Sequence, residues 1–352
     1  MPYTLFYLAN PPYGGWVSFT AHMALKYDLP LFKVGNKTEE KADGSPTMRP
    51  YGYGVSYQNL GKEDIGGVLK KRGTALITAI DKHHHHALDA FPDGTFIVIH
   101  DPTEVTKQKA ELLLPHLRRF RIITIRDSVK KYLKAKFDLE SMFLLHPFYE
   151  YPFLKSEHPT KAKSISRIDF DKHTEIILEA NKQLPAAAAV DIYGAVNRQY
   201  VYFNLQGMGF KKHYKGSFEK SFKELNAILK DTKYCVDMSV IKFDGGGSQY
   251  TFLEAIYQGC ALVINRKWIE GFKTPFVEGK NCLVVGSGDE LADLIRRQPA
   301  TGGIVRAAKA LLAPHVRINW VRAMDTYRVG RKGTRKAEKA RKAGKKQTRR
   351  AH

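Results

Sequence analysis

Disulfides, zinc ribbons and membrane spans find little material in this sequence of 352 residues. Its cysteines are Cys235, Cys260 and Cys282, an odd number without CxxC spacing. That argues against a disulfide framework and a zinc ribbon, and it fits a reducing compartment. No apolar run approaches the length a bilayer requires. The opening, MPYTLFYLANPPYGGW, lacks a basic stretch followed by a long apolar one, so a soluble, cytoplasmic protein is expected. Acidic residues are few beside basic ones, 35 against 57, which leaves a net charge of +22 and points to a polyanionic partner ahead of an acidic protein. A hydrophobic share of 43% with 26% charged residues excludes the fully disordered and fibrous classes.

The charge is unevenly placed. From Arg328 to His352 there are twelve Lys or Arg against one acid, Glu338, which is half of the net total. Beyond Gly330 nothing apolar remains to bury, and an unfolded or transiently helical arm is expected there. The length suggests two domains of roughly 150 residues plus extras.

Short apolar runs alternate with amphipathic stretches throughout, the βαβ signature of parallel α/β sheets. In the first half TLFYLAN, ALITAI, TFIVIH, IITI and MFLLHPF read as strands. Helices are expected over 16–26, 103–120 and 128–137. The segment from Gly35 to Gly61, without a clear period, reads as a long excursion near the site. A polar, basic hinge, KSEHPTKAKS, precedes a second series. It comprises a strand over 164–167, a helix over 173–183, VDIYG, HYKGS, a helix over 219–229, YCVDMSV, a helix over 249–257, CALVIN, LVVG and a helix from Asp289. Two successive Rossmann-like halves facing across a cleft follow, over residues 1–155 and 156–314, with a basic tail over 330–352. A last helix over 315–329, with Trp320, Met324 and Tyr327 at helical spacing, is able to pack back on the first half.

Several strings occur in an order that carries more information than any one of them. They are IITIRDSVKKYL, LLHPFYEYP, SRIDFDKHTEIILEA, a glycine-rich turn running into TFLEAIYQGCALVI, and RINWVRAMDTY. Together they resemble retaining glycosyltransferases of the GT-B type over most of the chain. His100-Asp101 after a strand, Arg167 and Lys172 five apart, and the basic surface resemble one branch, the phage DNA α-glucosyltransferases that modify 5-hydroxymethylcytosine. The resemblance implies a UDP-sugar donor, with UDP-glucose first, no structural metal and at most a stimulatory divalent cation. It implies as partner double-stranded DNA with a hydroxymethylated pyrimidine, and as location the host cytoplasm if the chain is phage-encoded. Transfer would proceed with retention, as the Arg167/Lys172 pattern is typical of retaining members.

Glycosyl transfer leaves negative charge on a departing diphosphate, which fixed cations must meet. Arg167 and Lys172, just past a strand end, can be aimed at one diphosphate, Arg as a fork and Lys as a point charge; the plain alternative is a solvated pair at a helix start. Gly245, Gly246, Gly247 and Ser248 precede a helix, where bare amides and the positive helix end can approach an anion. Glu254 falls where the family binds ribose hydroxyls. Many relatives carry a second acid eight residues earlier; here that position is Gly246, and the nearest acid, Asp244, joins the donor-binding candidates. His100 would touch the donor sugar and Asp101 would orient the acceptor or serve as its base, although Asp101, Pro102 and Glu104 read equally as a helix cap. Gly14 and Gly15 read either as a close approach to the diphosphate or as a plain turn.

His83 to His86 suggest metal at first sight, but only His83 and His86 share a helix face, and solvated helix surface is the better reading. Arg118, Arg119, Arg121, Arg126, Lys130, Lys131, Lys134 and Lys136, against Asp127 alone, read as phosphate-neutralising residues of an acceptor half. The rival reading is a glycosyltransferase of surface polysaccharide or glycolipid synthesis whose tail docks on anionic membrane. The tail lacks an apolar insertion face, so no membrane partner is expected.

Overall fold

The computed structural model describes residues 3–10, 14–35, 53–107, 110–218 and 221–328. Residues 1–316 form one compact unit and 317–352 a second, whose described part is helical over 320–328. The arm beyond Gly330, and residues 36–52 of the excursion after Gly35, lie outside the described residues.

Strands covered by helices on both faces read as unbroken apolar runs, and this pattern builds both sheets of the first unit. In chain order the first half contains β1 (Tyr3–Leu8), α1 (Gly15–Tyr27), β2 (Leu31–Gly35), β3 (Gln58–Gly61), α2 (Ile65–Arg72), β4 (Thr74–Ile80), β5 (Phe96–Ile99), α3 (Ala110–Arg119), β6 (Arg121–Thr124), α4 (Asp127–Phe137) and β7 (Ser141–Phe143). The strands are all parallel, in the order β3-β2-β1-β4-β5-β6-β7. β1 is buried along its whole length. Phe6, Phe32, Phe91 and Ile97 lie in the core of this half.

The second half contains β8 (Lys161–Ser164), α5 (Thr174–Lys182), β9 (Asp191–Tyr193), α6 (Arg198–Asn204), α7 (Phe210–His213), β10 (Tyr214–Gly216), α8 (Phe222–Leu229), β11 (Thr232–Asp237), α9 (Tyr250–Tyr257), β12 (Ala261–Asn265), α10 (Arg266–Ile269), β13 (Leu283–Val285), α11 (Gly288–Arg297) and α12 (Gly302–Arg317). Its parallel order is β10-β9-β8-β11-β12-β13. Both sheets are doubly wound, the two-Rossmann architecture of GT-B proteins. Strand order reverses at β1/β4 and again at β8/β11, and at such switch points loops diverge from the carboxyl strand ends and leave a crevice. Gly14 and Gly15 follow β1, Arg167 and Lys172 follow β8, and the glycine-rich turn follows β11.

Hidden lysines explain two of the strands that the apolar pattern fails to mark, and a polar edge position explains the third, β3. β8 lies within the stretch read as a hinge, earlier than the expected 164–167, because Lys163 is buried with its Nζ on the Ile228 carbonyl (2.7 Å) and Asp231 (2.6 Å). β2 likewise carries a buried Lys33, and β3 pairs with it inside the supposed irregular excursion. Residues 315–317, expected in the last helix, belong to α12.

Gly194, just past β9, has φ +145°, and a Cβ there would stand 2.1 Å from the Ser166 carbonyl oxygen. Gly194→Ala is expected to destabilise the fold by about 3 kcal/mol in denaturant titration. Gly302→Ala, in open space at the start of α12, should be neutral or slightly stabilising. Equal stability of the two variants would show that the close approach at Gly194 is not enforced.

Candidate active site

One carboxylate ties together the turns that leave the second switch point. Asp237 ends β11, is almost wholly buried, and accepts the Ser166 hydroxyl on one oxygen and the amide (2.9 Å) and hydroxyl of Ser239 on the other. The turn after β8 is thereby fastened to the turn after β11. Sequence motifs do not single out Asp237 or Ser239; the available signal is an acid closing the apolar run Tyr234, Cys235 and Val236 of β11.

Lys172 is held on this frame, its Nζ donating to Ser239 Oγ (2.7 Å) and to Gln249 Oε1 (3.0 Å). Gln249 is the cap residue of α9, so the ammonium stands at the end of that helix where free N–H groups carry partial positive charge. A cation beside a helix N-terminus is a repulsive arrangement that an anion between them relieves. Arg167, 41% exposed at its side chain, reaches Asp169 (3.1 Å) and Asp171 (3.5 Å). Burial pushes the Asp171 carboxyl up, but Lys172 and Arg167 outweigh it and hold its pKa below the ordinary value. Across from Arg167 lies the first turn of the other half. Gly14 has φ +97°, and a Cβ on it would stand 3.7 Å from Arg167 Cδ, whereas a Cβ on Gly15 would meet nothing within 4 Å. The structure therefore brings Gly14, Arg167, Lys172 and the start of α9 into one neighbourhood.

The glycine-rich turn is built differently from the expected ring of bare amides. Added Cβ atoms would stand 2.6 Å from the Phe272 ring at Gly245, 2.8 Å from the Lys273 carbonyl oxygen at Gly246, and 2.7 Å from Arg126 Cγ at Gly247. Protein neighbours alone thus account for three glycines. The Gly246 amide is taken by the Trp268 carbonyl (2.6 Å). Among the described residues the amides of Gly247 and Ser248 have no protein acceptor. The Ser248 hydroxyl lies 3.2 Å from His315 Nε2; His315 Nδ1 donates to the His146 carbonyl (2.9 Å), so Nε2 of the neutral ring is the acceptor.

Two expectations are corrected together. Asp244 is not open to a sugar: it is 2% exposed, with Arg126 Nε 2.9 and 2.8 Å from its two oxygens and the Ser128 hydroxyl at 2.6 Å. Arg126 is 5% exposed and cannot meet DNA phosphates; its Nη2 also donates to the His100 carbonyl (2.5 Å). A buried arginine requires a charge partner, and the sequence distance of 118 residues conceals it.

His100, expected to face the cleft, is 6% exposed, stacks edge-on with Phe19 at 5.0 Å, and donates from Nε2 to the Thr78 carbonyl (2.7 Å). Asp101 behaves as the local reading has it, accepting the Thr103 amide (2.8 Å) as a cap. Glu104 accepts Trp16 Nε1 (3.0 Å) and the His100 amide (3.1 Å). Burial, with Asp101 adding to it, pushes the Glu104 carboxyl well up. Glu254 is buried against α1, 3.7 Å from His22 Nε2 and 3.4 Å from the Tyr53 hydroxyl. The histidine run is not a solvated helix: His84 and His85 are buried, and His84 Nδ1 lies 2.8 Å from Asp81. Among the described residues no group of three or more His, Cys, Asp or Glu is placed to hold a metal ion.

The basic stretch does not form one face either. Arg118 and Arg119 end α3 and Arg121 opens β6, so they lie at the amino edge of the sheet, away from the switch point. Arg119 is tied to the Phe91 (2.7 Å) and Leu88 (2.6 Å) carbonyls. Lys130 and Lys131, in the first turns of α4, lie toward the carboxyl edge and are exposed. Lys131 pairs with Asp127 (2.7 Å), and Lys134 pairs with Asp138 and Glu140 (both 2.6 Å). Lys136 is exposed. No described helix is long and apolar enough to cross a membrane.

No protein-family model matches the chain, and no curated protein sequence does. Solved structures match at the level of fold. Anabaena HepE in complex with UDP and glucose superposes with a TM-score of 0.66 at 14% identity, over 95% of this chain and 100% of that one. An alpha-glucosyltransferase in complex with UDP and a 13-mer DNA containing an HMU base gives 0.63 at 12% identity, over 89% and 94%. S. aureus TarM, in complex with Fondaparinux, alpha-GlcNAc-glycerol and UDP, gives 0.52 at 14% identity, over 76% of this chain and 57% of that one.

The enclosed imidazoles generate a pH dependence. Burial brings His100 and His315 down from 6.5 to about 4, and it lowers His22 and His146 as well. The unfolded chain takes protons on these rings near pH 6.5, while the folded chain takes them only at lower pH, at about 4 for His100 and His315. Stability is therefore fullest above 6.5 and declines as pH falls toward 4, by up to about 3 kcal/mol each for His100 and His315. Denaturant titrations between pH 7.5 and 4.5 should show this decline, flattened in His315→Gln; constant stability across that window would mean the rings titrate in the fold as they do in the unfolded chain.

Proposed function

We propose that this chain is a nucleotide-sugar glycosyltransferase that moves glucose from UDP-glucose to the hydroxyl of a 5-hydroxymethylpyrimidine in DNA, with retention at the sugar carbon. The observation that carries the donor part is the placement of Lys172 beside the N-terminus of α9 and of Arg167 opposite Gly14. This is an anion site held by two cations of different geometry at a switch-point crevice.

In the proposed step the acceptor oxygen bonds to the sugar C1 on the face from which the diphosphate leaves. The C1–O bond breaks, and its electron pair goes to the diphosphate. Arg167 and Lys172 stabilise the charge that grows there, and a phosphate oxygen takes the proton from the acceptor hydroxyl. Glu254 would accept the ribose hydroxyls in place of the Tyr53 hydroxyl that now lies against it. Asp101, exposed in part at the end of β5, would orient the acceptor. His100 would act through the ring that packs on Phe19 rather than by touching the sugar. The acceptor part is supported by the net charge of +22, by exposed Lys130 and Lys131 on the carboxyl side of the first sheet, and by a shared fold with a protein solved with UDP and DNA.

Arg167→Ala and Lys172→Ala should each lower kcat by the equivalent of about 2–4 kcal/mol while leaving the fold intact; full rate at saturating donor in either variant refutes the donor site. Mass spectrometry of nucleosides after incubation with hydroxymethylated duplex DNA and a panel of UDP-sugars tests the acceptor. A glucosylated hydroxymethylpyrimidine supports the proposal. Transfer to a carbohydrate or lipid acceptor with none to DNA assigns the chain to polysaccharide or glycolipid synthesis instead.

A further inference from the structure

The turn that reads as a phosphate cradle is a socket for a guanidinium from the opposite half. Arg126 enters from the junction of β6 and α4. Its Nε lies 2.9 and 2.8 Å from the two Asp244 oxygens, its Nη2 reaches both Asp244 (2.5 Å) and the His100 carbonyl, and its Cζ sits 5.9 Å from the Trp268 ring centre. Its stem lies across Gly247, where any Cβ would strike Cγ at 2.7 Å and Cδ at 3.0 Å. Trp268 closes the other wall, donating from Nε1 to the Gly247 carbonyl (2.9 Å). Ser128, two residues beyond Arg126, adds hydrogen bonds to Asp244 (2.6 Å) and to the Gly245 carbonyl (3.2 Å).

We infer that Arg126 is a positioning residue for sugar transfer: seated in the Asp244–Gly247 socket, it fixes the end of β5, with Asp101, against the turn that leads into α9. This rests on the donor reading above. The planar fork suits the position because its Nε and Nη2 reach the Asp244 carboxylate in the second half and the His100 carbonyl in the first with one fixed geometry; a lysine ammonium can bond two acceptors but lacks that rigid spacing. The geometry matters because acceptor and donor must meet within a few tenths of an ångström of the productive distance, and a shift of about 1 Å costs on the order of 100-fold in rate. Arg126 has no open face, so it acts through the elements it joins.

A cycle of variants tests the inference, read by melting temperature and by kcat per site titrated with UDP. Arg126→Ala should lower kcat on the order of 100-fold with UDP affinity little changed. Arg126→Lys should recover most of the melting temperature but not the rate. Gly247→Ala, which drives a methyl into the arginine stem, should lower both; added to Arg126→Ala it should lower neither further, as the clash is gone. If Arg126→Ala does not fold, the Arg126→Ala/Asp244→Ala double variant, which leaves no unpaired charge, replaces it as the background. Full kcat in Arg126→Ala, or an undiminished effect of Gly247→Ala once the arginine is removed, overturns the inference, the latter because the glycine would then serve something other than the stem. The two readings fail separately: a wild-type chain that binds no UDP and transfers no sugar refutes the donor site, while the melting-temperature cycle still decides the socket.

Discussion

A guanidinium with no access to water must find its neutralising charge within the fold, and here its partner lies in the other Rossmann half. Arg126 and Asp244, both nearly unexposed, form that pair. Removing two ions from water costs free energy that their attraction roughly offsets, so such a pair adds little net stability. What it adds is selectivity, since an arrangement that separates the partners leaves a buried charge unpaired. Ser128, Gly245, Gly247 and Trp268 take their places around it, and the glycine-rich turn has its shape because an arginine stem and two aromatic residues occupy the space that side chains would fill.

Next to that node stands the opposite electrostatic arrangement. Lys172 and Arg167 share Asp171 as a counter-charge and Arg167 also meets Asp169, yet the amino end of α9 adds positive potential beside Lys172. Asp237, through Ser166 and Ser239, prevents the two cations from drifting apart. A fixed set of donors at a crevice is suited to charge that develops late in a reaction, because no reorganisation is needed when it appears.

Both sheets were legible as alternating apolar runs and amphipathic helices, since a doubly covered strand has to be apolar at nearly every position. The exceptions were two strands with a lysine inside, and the polar edge strand β3. Lys163 and Lys33 look like surface residues until a carbonyl, a carboxylate or an aromatic ring is found to receive them. The basic stretch from Arg118 to Lys136 misled for a topological reason. β6 carries the chain from one edge of the sheet to the other, so neighbours in sequence end on opposite edges, and Arg126 on the way turns inward.

From the sequence alone came the fold class, the strand-end positions of Arg167 and Lys172, and the flexible-looking turn before α9, because each depends on local composition and on order along the chain. The tertiary structure decided which charges are used up internally. It assigned Asp244 to Arg126 over 118 residues of separation, enclosed His100 and Glu254, and gave Lys172 its neighbours Ser239 and Gln249. The physical reason is that burial and pairing are set by which loops the two switch points bring together, and no local pattern encodes that distance.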